Sequence, residues 1–271
     1  MITFSRMGNY GQLGNQLFQA AMLIGVSAKT GFQIKIPKNL TAKKKAGLYE
    51  LDKFKITAGE LSPSEYKQIK HSFNENGYEF EFNSTIFEQS DFTDFHGYFQ
   101  TEKYFSHCAD LVRKEFQFID PIDEYARLFV EQNRTESCIT AIHVRLGDYL
   151  ERPDAFTVIK AEWIEQAKLN ENIPYPTQYF VFSEDLEWCR NNLSNENTVF
   201  IQSPSHWHDL AIMSKCDAHI ISASTFSWWA AWLANSKTVI APWPWFPLKG
   251  PLGNVGMRDI IPERWINQEA T

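Results

Sequence analysis

The sequence predicts an α/β fold in which parallel strands are covered by helices. Beyond residue 120, short apolar runs rich in β-branched residues alternate with segments of helical periodicity. Such alternation needs helical crossovers, which produce a parallel sheet buried on both faces. The chain has 271 residues and is 44% hydrophobic, enough for one large core or two smaller ones.

The first half of the chain is predicted only in part. Residues 2–5 favour a strand, a glycine-containing loop follows, and residues 16–24 favour a helix that ends by Gly31. Residues 48–116 are rich in Phe, Tyr and Glu without a regular period. We expect short helices and strands there and predict no topology.

The second half has a clearer rhythm. Strands are predicted at residues 137–144, 178–183, 198–202, 218–222 and 238–241, the last being the final strand, ended by Pro242. Helices are predicted at residues 161–169, after the acidic pair Glu184 and Asp185, at 208–216 and at 226–235.

Composition argues against several classes of protein. The net charge of −7 and a pI near 5.5, without a basic stripe, argue against nucleic acid as a partner. The sequence has no signal peptide and no apolar run of about eighteen residues, so we expect a soluble cytoplasmic protein without a membrane span. Its four cysteines form no C-x-x-C pair, which predicts no structural metal.

Ligands of parallel sheets bind beyond the carboxyl ends of the strands. The first candidate turn there is His143-Val144-Arg145-Leu146-Gly147-Asp148. The planar, permanently charged guanidinium of Arg145 suits a diphosphate leaving group and needs no metal. A structural ion pair between Arg145 and Asp148 explains the spacing equally well.

The second candidate turn is Ser222-Ala223-Ser224-Thr225-Phe226-Ser227, where hydroxyls and backbone amides collect at the start of a helix. Such a terminus binds phosphate, although ordinary N-capping explains the same residues. A third candidate is the loop containing Gly14, Asn15 and Gln16, which lacks both the dinucleotide fingerprint and the P-loop ending.

Taken together, these segments resemble the bacterial α-1,2-fucosyltransferases, glycosyltransferase family 11. That family combines a G-x-L-G-N-Q-x-F-Q loop with an H-x-R-R-G-D-Y motif. Residues 11–19 read GQLGNQLFQ, and residues 143–149 read HVRLGDY. Further blocks are GYFQTEKYF at 97–105, FSED at 182–185, WC at 188–189, DL at 209–210 and STFSWWAAWL at 224–233.

The resemblance implies a GT-B-like fold with two Rossmann-like domains and a cleft between them. Residues 1–135 would form the acceptor-side domain and residues 136–271 the GDP-fucose-binding domain. It further implies an inverting, metal-independent transfer of fucose from GDP-fucose to the 2-hydroxyl of a terminal galactose.

The resemblance also implies roles for individual residues. Arg145 would neutralise the departing phosphate, His143 would lie near the nucleotide, and Asp209 would accept hydrogen bonds from guanine. Ser224, Thr225, Phe226 and Ser227 would hold the diphosphate, and Asn15 and Gln16 would border the fucose or the acceptor. Leu146 replaces the second arginine usual in the family, so Arg145 should matter more.

Some alternatives stay open. The catalytic base is Asp148, Glu151 or Asp154, and Asp148 is equally explained as the anchor of Arg145. The related linkage α-1,6, or a non-catalytic carbohydrate-binding protein, are the rival functions. The acceptor glycan is open, and peripheral contact with a lipid-linked acceptor at the inner membrane face is compatible with the sequence.

Overall fold

The computed structural model describes residues 1–38, 49–75, 80–193 and 195–270. The chain divides into two compact units. The N-terminal unit comprises Met1–Ile119 and Val255–Pro262, and the C-terminal unit comprises Asp120–Asn254 and Glu263–Thr271. The division precedes residue 135 because the helix at Asp120–Asn133 packs against the helix at His206–Met213. Residues 255–262 return to the first unit, where Gly256 O accepts a hydrogen bond from Phe80 N.

The N-terminal unit contains a five-stranded sheet with strand order β3-β2-β1-β5-β4, and its neighbouring strands run parallel. Its strands are β1 (Ile2–Thr3), β2 (Ile34–Ile36), β3 (Gly59–Glu60), β4 (His71–Asn74) and β5 (Thr93–His96). Its helices are α1 (Leu13–Thr30), α2 (Pro63–Tyr66) and α3 (Ala109–Glu115), with short 3-10 turns between them.

Helix α1 confirms the predicted helix and extends it towards the glycine loop. It ends where the sequence predicts, because Gly31 takes a left-handed conformation at φ 74° and donates its N–H to Ser27 O. The long buried face, residues 16–26, packs against the sheet and the 3-10 turns. This packing fixes the loop that precedes the helix.

The C-terminal unit contains a six-stranded parallel sheet with strand order β11-β10-β9-β6-β7-β8. Its strands are β6 (Cys138–Val144), β7 (Thr177–Ser183), β8 (Thr198–Phe200), β9 (Ala218–Ile220), β10 (Thr238–Trp243) and β11 (Ile266–Glu269). Its helices are α4 (Asp120–Asn133), α5 (Gly147–Glu151), α6 (Ala161–Lys168), α7 (Leu186–Leu193), α8 (His206–Met213) and α9 (Thr225–Leu233).

Several elements of this unit differ from the sequence prediction, among them helix α5, which is not one of the predicted helices. Strand β10 continues through Pro242, and β11 follows it. Pro242 is tolerated because the pairing with β9 ends at Ile240, which leaves β11 as the neighbour of β10 beyond that point. Helix α4 was not predicted, although Pro121 in its first turn is typical of a helix start.

The core of the C-terminal unit is apolar on both faces of β6. One face packs Ile142 and Val144 with Trp163 and Ile164 of α6. The tryptophans of α9 are almost completely buried, as the helical spacing predicts: Trp228, Trp229 and Trp232. They belong to the core and position the N-terminus of α9 at the edge of the sheet.

Candidate functional site

Three turns meet at one edge of the C-terminal sheet. Strand β6 lies between β7 and β9, and all three run parallel. Their carboxyl ends therefore release the segments 145–147, 184–185 and 221–224 side by side. The structure thus brings together the first two candidate turns of the sequence, at residues 143–148 and 222–227, with the acidic turn at Glu184 and Asp185.

Hydrogen bonds hold these turns together. Arg145 N donates to Ser222 Oγ at 2.9 Å, and Ser222 Oγ donates to His143 O at 2.7 Å. From the third turn, Glu184 Oε1 accepts from Leu146 N at 2.8 Å. Each bond joins residues far apart in sequence, so the backbone on both sides of Arg145 is fixed by neighbouring strands.

The Arg145 side chain lies between two carboxylates. Its Nη2 contacts Asp148 Oδ1 at 2.6 Å, and its Nε lies 3.9 Å from Glu184 Oε1. The guanidinium carbon is 5.5 Å from the centre of the Tyr149 ring. The ion pair with Asp148 that the spacing predicts is therefore present, and 30% of the arginine side chain remains exposed to solvent.

Leu146 points away from this edge. Its residue is only 3% exposed and packs with Ile142, Val144 and Trp163 in the core. A second arginine would place its charge among apolar side chains here, which is unfavourable without a partner. The leucine thus suits the local packing, and Arg145 carries the positive charge of this turn.

His143 is buried beside Arg145 at the end of β6. Burial, and secondarily the positive charge of Arg145, lower the pKa of His143 to about 3. Its Nδ1 has no hydrogen-bond partner among the described residues, and its ring centre lies 5.6 Å from that of Phe226. His143 is therefore neutral at physiological pH and retains an unused polar atom.

The N-terminus of α9 begins at Ser224, which caps the helix. Ser224 Oγ accepts from Phe226 N at 3.4 Å, so the N-capping interpretation is confirmed. Ser227 is fully buried, and its hydroxyl donates to Ser222 O and Ser224 O at 3.4 and 3.3 Å. The Ser227 hydroxyl is thus used inside the turn, and half-buried Thr225 and Phe226 form the accessible part of the helix start.

Asp209 lies in the first turn of α8, close to the same edge. Burial raises the pKa of its carboxyl group, opposed by a hydrogen bond from Ser203 and by His206. Its Oδ1 is buried and lacks a partner within the described part of the chain. The ring of His206 lies 6.5 Å from Phe226, which places α8 beside the start of α9.

The three candidate bases occupy exposed positions around α5. Asp148 is 61% exposed and pairs with Arg145, and Asp154 is 59% exposed and lies 3.2 Å from Arg152 Nε. Glu151 is exposed as well. None of the three is enclosed by protein, and the contact of Asp148 favours its role as the anchor of Arg145.

The predicted acceptor loop lies in the N-terminal unit. Asn15 Oδ1 accepts from Gln100 Nε2 at 2.8 Å, and Gly14 is buried. Gln16 is fully buried, and its Oε1 accepts from Glu50 N at 3.0 Å. Of the three, the half-buried Asn15 presents its side chain near the surface, whereas Gln16 points into the interior.

Sequence reasoning does not identify four residues that shape this edge of the C-terminal sheet. Glu184 and Ser222 belong to segments that the sequence marks, but their bonds to the Arg145 turn depend on the order of the strands. Tyr149 donates its hydroxyl to Ala223 O at 2.9 Å and stacks on Phe156 at 4.4 Å. His206 has no motif that marks it.

In residues 1–38, 49–75, 80–193 and 195–270, no group of three His, Cys, Asp or Glu side chains has the arrangement of a metal site. Within the same ranges, no helix is both long and apolar enough to span a membrane.

Comparison with known proteins assigns the family. Residues 9–246 match the family described as "Glycosyl transferase family 11", and the chain belongs to that family. It is 29% identical over 187 residues to the alpha-1,2-colitosyltransferase of Escherichia coli, covering 65% of this chain and 62% of that protein. It is 30% identical over 151 residues to galactoside alpha-(1,2)-fucosyltransferase 1 of Saimiri boliviensis boliviensis, covering 50% of this chain and 41% of that protein.

The chain thus spans between two fifths and about three fifths of the length of these curated relatives. Among solved structures, POFUT1 in complex with GDP-fucose matches with a TM-score of 0.55 at 13% identity, over 87% of this chain and 94% of that chain. This likeness confirms the α/β, GT-B-like fold class.

Proposed function

We propose that this chain is an inverting galactoside α-1,2-fucosyltransferase that uses GDP-fucose. The observation that carries the proposal is the exposed, doubly anchored guanidinium of Arg145 beside the N-terminus of α9. A permanent positive charge and helix amides at one sheet edge suit a diphosphate. The names of the two relatives, both α-1,2 transferases, support the linkage.

In the proposed reaction, the 2-hydroxyl oxygen of galactose attacks the anomeric carbon of fucose. The bond from that carbon to the β-phosphate oxygen breaks, and its electron pair leaves with GDP. Arg145 neutralises the charge that develops on the phosphate, and Asp148 keeps the guanidinium oriented. Because the arginine supplies this charge, we propose that the reaction needs no metal.

The nucleotide is assigned to the remaining groups of the C-terminal unit. The Asp209 carboxylate would accept hydrogen bonds from guanine, since its Oδ1 is buried without a partner among the described residues. Ser224, Thr225, Phe226 and Ser227 would surround the diphosphate, with backbone N–H groups as donors. Neutral His143 would hydrogen-bond the nucleotide through its unused nitrogen.

A second donor sugar deserves comparison, because one relative is named an α-1,2-colitosyltransferase. Transfer of colitose would use the same linkage and the same phosphate chemistry. The two candidates differ in the sugar alone, so a direct competition between the two donors decides between them.

The test measures GDP release from purified protein in excess chelator, with GDP-fucose or GDP-colitose as the donor and with lactose present or absent. We expect lactose-dependent release from GDP-fucose, and NMR of the product should show an α-1,2 linkage. Preference for GDP-colitose would select the second candidate, and an α-1,6 product would change the linkage. If no guanine nucleotide binds, as measured by calorimetry, the proposal is wrong.

A further inference from the structure

Glu184 follows strand β7 at the edge of the C-terminal sheet that holds Arg145. Its Oε1 atom accepts a hydrogen bond from Leu146 N at 2.8 Å, which fixes the carboxylate against the Arg145 turn. A Cβ atom on Gly147 would lie 2.8 Å from the same oxygen, so the glycine leaves room for the carboxylate. One oxygen of Glu184 is therefore held by the backbone at the end of the neighbouring strand.

The other oxygen, Oε2, is available to a ligand. Within the described ranges, the hydrogen bond and the ion pair of the Glu184 side chain both involve Oε1. The ion pair itself is loose, because Arg145 Nε lies 3.9 Å away, beyond hydrogen-bond distance. The Glu184 side chain is 33% exposed, so a ligand at this edge can reach it.

Anchoring of Arg145 does not by itself account for this second carboxylate. Asp148 already contacts the guanidinium at 2.6 Å, and the bond from Leu146 N uses only one oxygen of Glu184. A further negative charge also repels a diphosphate bound beside Arg145. The carboxylate of Glu184 therefore opposes phosphate binding unless another part of the ligand compensates.

The chemistry of a carboxylate limits what that part is. An ionised carboxylate only accepts hydrogen bonds, and phosphate oxygens are acceptors as well, so the two do not pair. In GDP-fucose the group bonded to the β-phosphate is the sugar, whose hydroxyl groups donate hydrogen bonds. A sugar hydroxyl is therefore the donor next to the phosphate that suits the available oxygen.

On the basis of the proposed function, we propose that Glu184 binds the donor sugar, with Oε2 accepting a hydrogen bond from a hydroxyl of fucose. The bond from Leu146 N holds the carboxylate in place before the donor arrives, so little side-chain freedom is lost on binding. Glu184, Arg145 and the helix start at Ser224 all belong to the C-terminal unit. Glu184 is thus a specificity residue that distinguishes the sugar nucleotide from GDP alone.

Calorimetry with two ligands tests this contact in the variant Glu184→Gln. The amide oxygen of glutamine still accepts from Leu146 N, while the second oxygen becomes an NH2 group, which only donates. We expect the Kd for GDP-fucose to rise by about fivefold or more, since at most a neutral hydrogen bond replaces a charge-assisted one. The Kd for GDP should stay the same or fall, because a negative charge beside the phosphates is removed.

The matched control is Glu187→Gln. It removes the same charge from an exposed glutamate of the adjoining helix α7. The ratio of the Kd for GDP-fucose to the Kd for GDP should equal that of the parent in this control and rise in Glu184→Gln. If Glu184→Gln keeps the ratio of the parent, whether both Kd values rise or neither does, the sugar contact is absent and the inference is overturned.

Donor analogues that each lack one hydroxyl of fucose identify the hydroxyl that is bound. In the parent, loss of that hydroxyl should weaken donor binding by about tenfold or more. In Glu184→Gln the same loss should cost less, by about fivefold or more, so the variant and the analogue form a double-mutant cycle. Additive losses for every analogue contradict the contact.

If Glu184→Gln does not fold, NMR of the intact parent with labelled glutamate carboxyl carbons gives the answer. Replacing bound GDP by GDP-fucose should shift the resonance of Glu184 and leave that of Glu187 in place. An unshifted Glu184 resonance in the saturated complex overturns the inference. The proposed function fails separately, through absence of fucosyl transfer by the parent.

Discussion

At the scale of single residues, Arg145 is both fixed and accessible. Two carboxylates orient its guanidinium, yet 30% of the side chain is exposed. Substituting it should therefore affect phosphate stabilisation far more than folding, because a partly exposed arginine contributes little to the core.

For Arg145→Ala we expect kcat to fall by at least about 10²-fold, as when one preorganised stabilising group is lost. The melting temperature should stay close to that of the parent, as measured by calorimetry. Arg127→Ala is the control, since Arg127 is 57% exposed and pairs with Glu131 of the same helix, α4. Equal activity of the two variants would remove Arg145 from the phosphate site.

Asp209→Asn should weaken binding of GDP more than binding of the acceptor. Its carboxylate has a buried oxygen without a partner among the described residues, and asparagine would replace one of the two acceptor oxygens by an NH2 group, which only donates. We expect roughly a tenfold or greater loss in GDP affinity by calorimetry, from a lost charge-assisted bond.

The fully exposed Asp110 provides a matched control for that measurement. Asp110→Asn should bind GDP as the parent does. If Asp209→Asn discriminates between GDP and other nucleoside diphosphates as well as the parent does, then the guanine contact is absent.

The spacing of residues along the sequence predicts some contacts of the Arg145 turn and does not predict others. The Arg145–Asp148 pair follows from three residues of separation at the start of α5. The bonds of Ser222 and Glu184 to the same turn span 77 and 38 residues. They depend on which strands lie next to β6, and no local pattern contains that information.

At the scale of elements, the glycine loop before α1 depends on close packing. Gly11 has φ 99°, and a Cβ placed there would lie 1.9 Å from Asn15 Nδ2. Asn15 in turn holds Gln100. A side chain at residue 11 would therefore push Asn15 out of position, in addition to straining the backbone.

Gly11→Ala should raise the acceptor KM and lower the free energy of unfolding by about 1–3 kcal/mol. Gly31→Ala is the matched control, since Gly31 also has positive φ but nothing lies within 4 Å of a Cβ there. We expect it to cost about 1 kcal/mol, with an unchanged acceptor KM. Identical KM values for the two variants would show that the loop does not touch the acceptor.

The sequence predicts well the elements in which apolar residues recur with a clear helical or strand period. It does not predict the elements that form only because another strand pairs with them. Strand β6 and helix α9 lie within a residue or two of their predicted bounds. By contrast, β3 has two residues and β2 three, so their sequences carry too little pattern to reveal a sheet. The continuation of β10 through Pro242 depends on which neighbour remains beyond Ile240.

At the scale of the whole molecule, the alternation of strands and helices predicts the parallel sheet of the C-terminal unit. It does not predict that a later segment of the chain belongs to the N-terminal unit. Residues 255–262 belong to the N-terminal unit, where Asp259 accepts hydrogen bonds from Phe82 N and Lys103 Nζ. These contacts span more than 150 residues and follow from side-chain pairing in three dimensions. The amino-acid composition alone therefore cannot show which later segment belongs to the N-terminal unit.

Buried histidines make the stability of the whole molecule depend on pH. Burial lowers the pKa of His143 to about 3 and that of His219 to about 4. In the unfolded chain both return to about 6.5. Between these values the unfolded state binds protons that the folded state does not, so stability is lost as pH falls below about 6.5.

From His143 and His219 we expect the free energy of unfolding to fall by roughly 2–3 kcal/mol between pH 7.5 and 5.5, about 1 kcal/mol or slightly more from each. Burial also lowers the pKa values of His96, His107 and His208, which adds to the fall. Glu65 and Asp259, whose pKa values are lowered, destabilise the fold only at more acidic pH. Urea denaturation at the two pH values measures the difference, and His219→Gln should reduce it by about 1 kcal/mol. A parent whose stability is the same at both values would show that these histidines are protonated in the fold.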